Sequence, residues 1–331
     1  MNSTEDQIFH VPADQAQQTV ASALRHWLPS CSWSQVKQLL RTRRIMVSGN
    51  ICLDESRRLQ VGEVVKVLAH SAAPPPKEQD VRVRYLDAHL LLVEKPSGMT
   101  TLRHPEEKEL STRRRQLQPT LDECLPRIVA KVEKKSLRPG SLPMLRAVHR
   151  LDRETSGLMV FARTVPAERH LGLQFRNHTV HRRYIALVHG HVSAQTIRST
   201  LVRDRGDGRR GSATEEDEEG KEAVTHVMPL EHLDGYTVLQ CRLETGRTHQ
   251  IRIHLSELGH PVCGDKVYLG RYVSAKKALI QAPRLALHAA ELGLQHPATG
   301  EWLEASMPLP DDLAGFLHEL RTQTPNNRLG K

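Results

Sequence analysis

The sequence has no long hydrophobic run. Of its 331 residues, 38% are hydrophobic and 4% aromatic, and no stretch approaches the roughly 20 consecutive apolar residues of a membrane-spanning helix. Residues 1–10 contain acidic side chains and no apolar core, so we expect neither a secretory signal nor a membrane partner. The scarcity of aromatic residues also disfavours folds that bind single strands mainly by stacking bases on a series of exposed rings.

Closely spaced cysteines and nucleotide-binding loops are missing as well. The chain has five scattered cysteines, Cys31, Cys52, Cys124, Cys241 and Cys263. An odd and dispersed set disfavours both a disulfide framework and a thiolate zinc site, and it predicts a reducing, cytoplasmic location. No Walker-type Gly-Lys loop occurs, so no nucleotide cofactor is expected.

What the chain does have is an excess of positive charge. Lys and Arg total 47 and Asp and Glu total 38, which gives a net charge of 47 − 38 = +9. Taken alone, such an excess favours a polyanionic partner, a class that comprises RNA, DNA and anionic membrane surfaces. At roughly 100–200 residues per domain, the length predicts two domains.

A proline-rich stretch divides the chain. Residues 71–80 contain three consecutive prolines, which favour extended polyproline structure and predict a semi-rigid linker. The predicted organisation is a flexible segment at 1–18, a compact module at 19–70, the linker, a second domain at 81–320 and a flexible tail at 321–331. In the first module, the spacing of Val36, Leu39 and Leu40 predicts a helix over 34–41, and short strands follow at 45–47, 51–53 and 61–68.

A basic cluster lies on this predicted helix and just beyond it. Its members are Lys37, Arg41, Arg43 and Arg44. One interpretation is a solvated helix end, whose cations complement the negative end of the helix dipole. The order of elements, however, resembles the S4-like RNA-binding domain, a small α/β module in which a helix pair and a small sheet present a basic helix face. The resemblance implies that the four cations contact RNA.

Beyond the linker, strand-like runs outnumber helices. Predicted strands cover 90–93, 158–162, 184–188 and 236–243, and predicted helices cover 166–176, 248–258 and 311–320. Because the two types do not alternate regularly, the pattern predicts an α+β domain with a mixed, largely antiparallel sheet. Two charged segments, 103–119 and 203–221, are predicted to be long loops. They hold the basic run 113–115 and the acidic run 215–219.

The most informative stretch is His149-Arg-Leu-Asp-Arg-Glu-Thr-Ser-Gly-Leu158. On the residues alone, Asp152 lies in a turn closed by Thr155, Ser156 and Gly157, where it has the simple role of capping the turn. The stretch closely resembles, however, the signature of the RluA-type family of pseudouridine synthases, which convert uridine in RNA to its C-glycoside isomer. Further segments resemble the family in the same order: 93–98, 183–190, 243–255, 259–265, 285–289 and 296–300.

The resemblance implies a catalytic role for Asp152. Its carboxylate either adds to C1′ of the ribose or abstracts a sugar proton and forms a glycal, and both routes remain open. It further implies that Arg252 pairs with this carboxylate and keeps it ionised. By the same resemblance, Tyr184 stacks on the target base and helps to remove the C5 proton. Glycosidases typically need a second carboxylate to protonate their alkoxide leaving group. The leaving uracil anion spreads its charge over two carbonyls, so one carboxylate is adequate for this reaction.

Two more arginines in these motifs are candidate RNA ligands. Arg150 is placed to enter the space that a flipped uridine vacates, and its alternatives are a phosphate contact or an ion pair with Glu154. Arg247 is expected to contact an RNA phosphate. Five histidines invite a metal site, but His249 and His254 are five residues apart, which does not place both on one helix face, and no cysteine pair or carboxylate motif accompanies them. We therefore interpret the five as hydrogen-bonding scaffold: His149, His249, His254, His260 and His288.

The sequence therefore predicts an enzyme that isomerises specific uridines in structured RNA to pseudouridine, without a cofactor or metal. Ribosomal RNA is the favoured substrate, because S4-like domains are common in family members that act on large-subunit ribosomal RNA. The alternatives are a transfer-RNA pseudouridine synthase and a non-catalytic RNA-binding or ribosome-assembly factor. We expect a monomer.

Overall fold

The computed structural model describes residues 6–48, 50–72, 74–103, 118–138, 140–202, 210–213, 220–269, 280 and 282–323. These residues form two compact units, and the division between them falls between Pro75 and Pro76, with Gln118 grouped in the smaller unit. Each unit has a hydrophobic core of its own. None of the described helices is long and apolar enough to span a membrane.

The smaller unit consists of a four-stranded antiparallel sheet and two helices. The strands are β1 (Gln7–His10), β2 (Ile45–Val47), β3 (Asn50–Ile51) and β4 (Val64–Val67), and the helices are α1 (Val20–Trp27) and α2 (Trp33–Arg41). The sheet order is β1-β4-β2-β3. Helix α2 begins with a capping box, in which the side chains of Ser32 and Gln35 each accept from the other's backbone N–H. Val36 and Leu40, one turn apart, are buried, which confirms the predicted helix.

The structure differs from the predicted flexible segment at 1–18. Gln7–His10 pair with Val64–Val67 as an edge strand, and the ring of Phe9 stacks on Trp27 with their centroids 5.0 Å apart. Backbone pairing and this one aromatic contact hold a strand of four residues, too short to give a periodic signal. In the predicted linker, Glu78–Asp80 form a turn of 3-10 helix, because Asp80 Oδ2 accepts from the backbone N–H of Lys77 at 2.7 Å.

The larger unit is built on one eleven-stranded sheet. Its strands are β5 (Arg82–Leu86), β6 (Leu90–Lys95), β7 (Arg146–Ala147), β8 (Ser156–Ala162), β9 (His181–His189), β10 (Gln195–Val202), β11 (Gly211–Ser212), β12 (Lys221–Leu233), β13 (Tyr236–Leu243), β14 (Leu287–Gln295) and β15 (Trp302–Ser306). The order is β11-β10-β12-β13-β9-β14-β8-β6-β5, with β15 on β14 and β7 on β8. Strands β8 and β14 pair in parallel, and the other pairings between described strands are antiparallel. The predicted α+β fold with a mixed, largely antiparallel sheet is confirmed.

Among the described residues of this unit, four helices pack on the sheet: α3 (Leu121–Val132), α4 (Val165–Arg176), α5 (Gln250–Glu257) and α6 (Asp311–Gln323). Helix α4 begins at a Thr164 cap followed by a proline in its first turn. Helix α6 buries Leu313, Phe316, Leu317 and Leu320 in the core, as the sequence predicts, but it continues to Gln323, so the first three residues of the predicted flexible tail are helical. Helix α3 is not predicted.

The two charged segments are described only in part. Arg103 is buried and pairs with Glu123 at 2.8 Å, and Gly211–Ser212 form β11. The basic run 113–115 and the acidic run 215–219 lie outside the described residues.

Candidate active site

Asp152 lies in a turn that is fixed against the sheet. The turn is closed by a hydrogen bond from Thr155 N–H to Asp152 O, 3.1 Å long, and β8 follows directly. There Gly157 has φ +127°, and a Cβ on it would lie 2.2 Å from the carbonyl oxygen of Ala289 on β14. Only glycine allows so close an approach of the two parallel strands. The Asp152 side chain remains 16% exposed, so its carboxylate is accessible.

Arg252 approaches this carboxylate from α5. Its Nη1 lies 3.6 Å from Asp152 Oδ2, which agrees with the predicted pair, but its hydrogen bonds go elsewhere. Nε and Nη2 donate to the two oxygens of Asp265, at 2.7 and 2.9 Å. Burial acts to lower the pKa of Arg252, but the hydrogen bonds and charge of Asp265 together with the charge of Asp152 outweigh it, and the pKa is raised. A fully charged guanidinium is therefore held in place beside Asp152.

His249 approaches Asp152 from the other side. It precedes α5 in the left-handed conformation, with φ 60° and ψ 15°, and its Nε2 lies 3.8 Å from Asp152 Oδ1. Its Nδ1 is 2.8 Å from the hydroxyl of Tyr268, whose ring lies 5.0 Å from the Arg252 guanidinium. Burial lowers the pKa of His249, against the opposing charge of Asp152, and raises the pKa of Tyr268 to about 12.

Tyr184 is buried on β9 with 7% of its surface exposed. It lies opposite Cys241 on β13 and Ala289 on β14. Burial raises the pKa of its hydroxyl; the charge of Arg182 opposes the shift, and that of Asp152 adds to it. The neutral phenol thus belongs to the same electrostatic environment as the Asp152 carboxylate.

Side chains of the motif at 93–98 hold the backbone of the Asp152 turn by hydrogen bonds. Lys95 is fully buried, and its Nζ donates to the carbonyl oxygens of Pro96, Met99 and Arg153 at 2.8–3.0 Å. Ser97 Oγ donates to the carbonyl oxygen of Glu154 at 2.6 Å. Burial lowers the pKa of Lys95 to about 7, although the charges of Glu154 and Asp152 oppose the shift. These contacts fix the backbone within the turn, at Arg153 and Glu154.

Comparison with known proteins places this site in a family. The sequence model described as RNA pseudouridylate synthase matches residues 89–257, the segment that contains Asp152, Tyr184 and Arg252. The chain belongs to the RNA pseudouridylate synthase family. The predicted RluA-type resemblance is thereby confirmed.

Similar proteins within this family span most of the chain. Ribosomal large subunit pseudouridine synthase D of Zymomonas mobilis is 38% identical over 249 residues, 74% of each chain. The uncharacterized RNA pseudouridine synthase YlyB of Bacillus subtilis is 34% identical over 313 residues, 91% of this chain and 92% of its own. Among solved structures, the human RNA Pseudouridylate Synthase Domain Containing 4 superposes with a TM-score of 0.55 at 25% identity, over 72% of this chain and 92% of its own.

The two remaining candidate RNA ligands of the larger unit, Arg150 and Arg247, do not take part in the ion pairs of Arg252 with Asp152 and Asp265. Arg150 is exposed, and Glu154, its alternative partner, pairs instead with Arg153 at 3.1 Å. Arg247 Nε donates to the carbonyl oxygen of Glu222 at 3.0 Å. Both arginines are therefore at the surface, and Arg247 differs in being bound to a backbone carbonyl oxygen.

The basic cluster of the smaller unit is partly occupied by internal contacts. Lys37 pairs with Glu55 at 3.4 Å, and Arg44 Nε donates to the carbonyl oxygen of Leu68 at 2.7 Å. Arg43 adopts a left-handed conformation with φ 60°. Arg41 is exposed at the end of α2.

Each of the five histidines interpreted as scaffold makes a hydrogen bond. His149 Nε2, for example, accepts from the backbone N–H of Val160 at 3.0 Å, and His288 Nδ1 lies 2.9 Å from Ser156 Oγ. Within the described ranges, one group of three side chains has metal-ligand spacing, and the sequence did not single it out: His181, Glu291 and Glu304. Arg183 already pairs with Glu291.

Sequence reasoning missed two residues of the site. Asp265 ends the motif at 259–265, and Tyr268 follows it by three residues. The motif itself was the signal for Asp265, but nothing in the spacing shows that this acid, rather than Asp152, takes the hydrogen bonds of Arg252.

Proposed function

We propose that the protein isomerises uridine to pseudouridine in RNA, with large-subunit ribosomal RNA as the substrate class. Family membership supports the reaction, and the printed name of the relative from Zymomonas mobilis supports the substrate. The observation that carries the proposal is the partly exposed Asp152 carboxylate, with the Arg252 guanidinium 3.6 Å away. A carboxylate so placed is accessible to a substrate and faces a fixed positive charge.

In the proposed reaction, Asp152 acts on the ribose while the bond from N1 to C1′ breaks. The carboxylate adds to C1′ and is later displaced, or it takes a sugar proton and later returns it. The base turns, C5 joins C1′ and loses its proton, and N1 takes up a proton. Arg252 orients the carboxylate. Tyr184 lies against the base, and its phenol is neutral because burial raises its pKa, so it stacks on the uracil and assists the departure of the C5 proton.

RNA binding is assigned to exposed cations. Arg150 enters the gap left by the flipped uridine, and its exposure and lack of an ion pair with Glu154 support this role. Arg247 binds a phosphate after leaving its backbone contact.

We assign the smaller unit as an S4-like RNA-binding domain, supported by its two helices and small sheet. In this assignment Lys37, Arg41, Arg43 and Arg44 contact RNA. The domain boundaries, the cytoplasmic location and the monomeric state stay predictions.

The test is Asp152→Asn, with Glu154→Gln as its matched control. Both substitutions remove one negative charge from the same turn, but only Asp152 faces Arg252. With an unmodified transcript of bacterial large-subunit ribosomal RNA carrying C5-tritiated uridine, we expect the wild type and Glu154→Gln to release tritium and Asp152→Asn to release none. RNA affinity should be nearly equal in all three.

Full activity in Asp152→Asn would overturn the catalytic assignment. RNA binding without any release by the wild type would indicate a non-catalytic RNA-binding factor. Tritium release from a transfer-RNA transcript but not from the ribosomal RNA transcript would show that transfer RNA is the substrate class.

A further inference from the structure

His249 occupies a place that the mechanism above does not use. It lies between the Asp152 carboxylate and the Tyr268 hydroxyl, in a left-handed conformation that is uncommon for residues other than glycine. Such backbone strain persists where the surrounding structure holds it, and it concentrates at functional sites. Its ring also belongs to the small group of side chains that lie against the candidate catalytic carboxylate.

The contacts of the ring determine which nitrogen carries the proton. Burial lowers the pKa of His249, so the imidazole is neutral and has one N–H. If Nδ1 carried it, the lone pair of Nε2 would face the negatively charged oxygen of Asp152. The opposite tautomer avoids this repulsion, because the Tyr268 hydroxyl then donates to Nδ1 and the Nε2–H points to Asp152. Since the pKa of Tyr268 is about 12, its hydroxyl holds a proton to donate at neutral pH.

This N–H is not used within the site. Its nitrogen lies 3.8 Å from Asp152 Oδ1, which is too long for a hydrogen bond. Among the described residues, the hydrogen bond of this ring is the one that its Nδ1 accepts from the Tyr268 hydroxyl. A donor is thus aimed at the space directly beside the carboxylate, where it is available to a bound substrate.

The reaction places negative charge in that space. When the N1–C1′ bond breaks, its electron pair stays with uracil and spreads onto the two carbonyl oxygens. Asp152 works at C1′, one bond from N1, so a donor next to its carboxylate is within reach of the departing base. Arg252 does not serve this purpose directly, because Asp265 takes two of its N–H groups and the third nitrogen faces Asp152.

We propose that His249 is a catalytic residue whose Nε2–H donates a hydrogen bond to a carbonyl oxygen of the departing uracil, and that Tyr268 is the positioning residue that sets its tautomer. This inference rests on the proposed function. His249 keeps its proton throughout. The electron pair that leaves C1′ with N1 is balanced by the later bond from C5 to C1′. The proton that C5 loses is balanced by one that N1 takes up from water, so substrate and product are isomers.

The first test compares His249→Gln with His249→Leu in the full-length protein. Both side chains have similar size, but only the Gln amide can replace the Nε2–H donor. In single-turnover tritium release from the ribosomal RNA transcript, we expect His249→Leu to be about 100- to 1,000-fold slower, the loss typical of removing one preorganised donor from an anion site. His249→Gln should recover most of that loss. Melting temperature and RNA affinity should match the wild type in both.

Tyr268→Phe tests the positioning role, because it keeps the ring over Arg252 and removes only the hydroxyl. We expect a slower rate than the wild type and a faster one than His249→Leu, with unchanged RNA affinity. Equal rates for His249→Leu and His249→Gln would overturn the role of His249 while leaving the proposed function intact. A wild type that releases no tritium would instead overturn the proposed function.

The tautomer provides a test that does not depend on activity. Nitrogen-15 NMR distinguishes a protonated Nε2 from a protonated Nδ1, and the His249 signals can be assigned by their loss in His249→Gln. We expect the proton on Nε2 in the wild type and a mixture of tautomers in Tyr268→Phe. A wild-type proton on Nδ1 would overturn the proposal.

Discussion

The two basic regions of the molecule hold their cations in opposite ways. In the larger unit, Arg252 is 7% exposed and makes two hydrogen bonds to Asp265, which is itself buried. In the smaller unit, Arg41 is exposed, and Lys37 is 45% exposed with one ion pair of 3.4 Å to Glu55. The first arrangement fixes a charge in one position, and the second leaves charges free to adapt.

The difference matches what each region has to do under the proposed function. A carboxylate acting at C1′ must be oriented closely, because small misplacements of reacting groups cost large factors in rate. A phosphate contact contributes through charge and tolerates movement of both partners. Buried and exposed cations should therefore respond very differently to substitution, and three predictions test that contrast.

The largest effect is expected from Asp265→Asn. It leaves the Arg252 guanidinium buried with one remaining acid, Asp152, at 3.6 Å. Removing one partner of a buried ion pair typically costs about 3–5 kcal/mol, so the free energy of unfolding in urea should fall by that order. Tritium release should fall as well, because Arg252 no longer holds its orientation.

Asp312→Asn is the matched control for this substitution. Asp312 also accepts two hydrogen bonds from one arginine, Arg284, at 2.6 and 3.0 Å, but its side chain is 45% exposed. An exposed pair contributes about 0–1 kcal/mol, so the control should change unfolding little and activity not at all. Equal destabilisation by the two variants would show that burial does not separate the two kinds of arginine pair.

An intermediate effect is expected from Lys95→Met, through the pH dependence of stability. The pKa of Lys95 is about 7 in the folded protein and about 10.4 in an unfolded chain. Between these values the unfolded state binds the extra proton, so stability should rise with pH from about 7 to about 10. In Lys95→Met this rise should be weaker. At the upper end of the range the neutral amine supplies two N–H groups to the surrounding carbonyl oxygens, and their loss costs about 1–3 kcal/mol.

Urea unfolding at several pH values measures this effect. Lys131→Met is a suitable control, because Lys131 is 59% exposed and pairs with Glu78 at the surface. We expect the control to keep the wild-type slope. A Lys95→Met variant with the same slope as the wild type would contradict the low pKa of the buried amine.

Many of the strands and helices that position the buried and exposed cations were predictable from local sequence patterns. The strand at 236–243 is found as predicted, and the predicted helix at 166–176 differs by one residue at its start. These elements have strong periodicity and clear caps. Strand β1 and helix α3 were missed, because the first has four residues and the second carries Pro126 inside a helix, a residue that normally argues against one.

The candidate site was predictable only as far as its motifs reach. The motifs led to Asp152 and Arg252, which the structure brings within 3.6 Å. They did not show that Asp265 takes the hydrogen bonds, or that Tyr268 contacts His249. Those contacts depend on how the chain after α5 folds back over the helix, and such long-range packing leaves no periodic mark in the sequence.

The smallest effect is expected from Arg41→Gln. It is the most direct test of the role of the exposed cations in the smaller unit. Because Arg41 is exposed at the end of α2, its loss should change stability by less than about 0.5 kcal/mol. If it contacts one phosphate, the salt dependence of binding to a 20-nucleotide oligouridylate should weaken, with the slope of log K against log salt falling by about 0.7. The single-turnover rate at saturating RNA should be unchanged.

Arg82→Gln, which removes an exposed cation from β5 of the larger unit, controls for net charge alone. Equal slopes in the two variants would mean that α2 attracts RNA only through the total charge of the protein, whereas a smaller slope for Arg41→Gln alone would place a phosphate at the end of this helix.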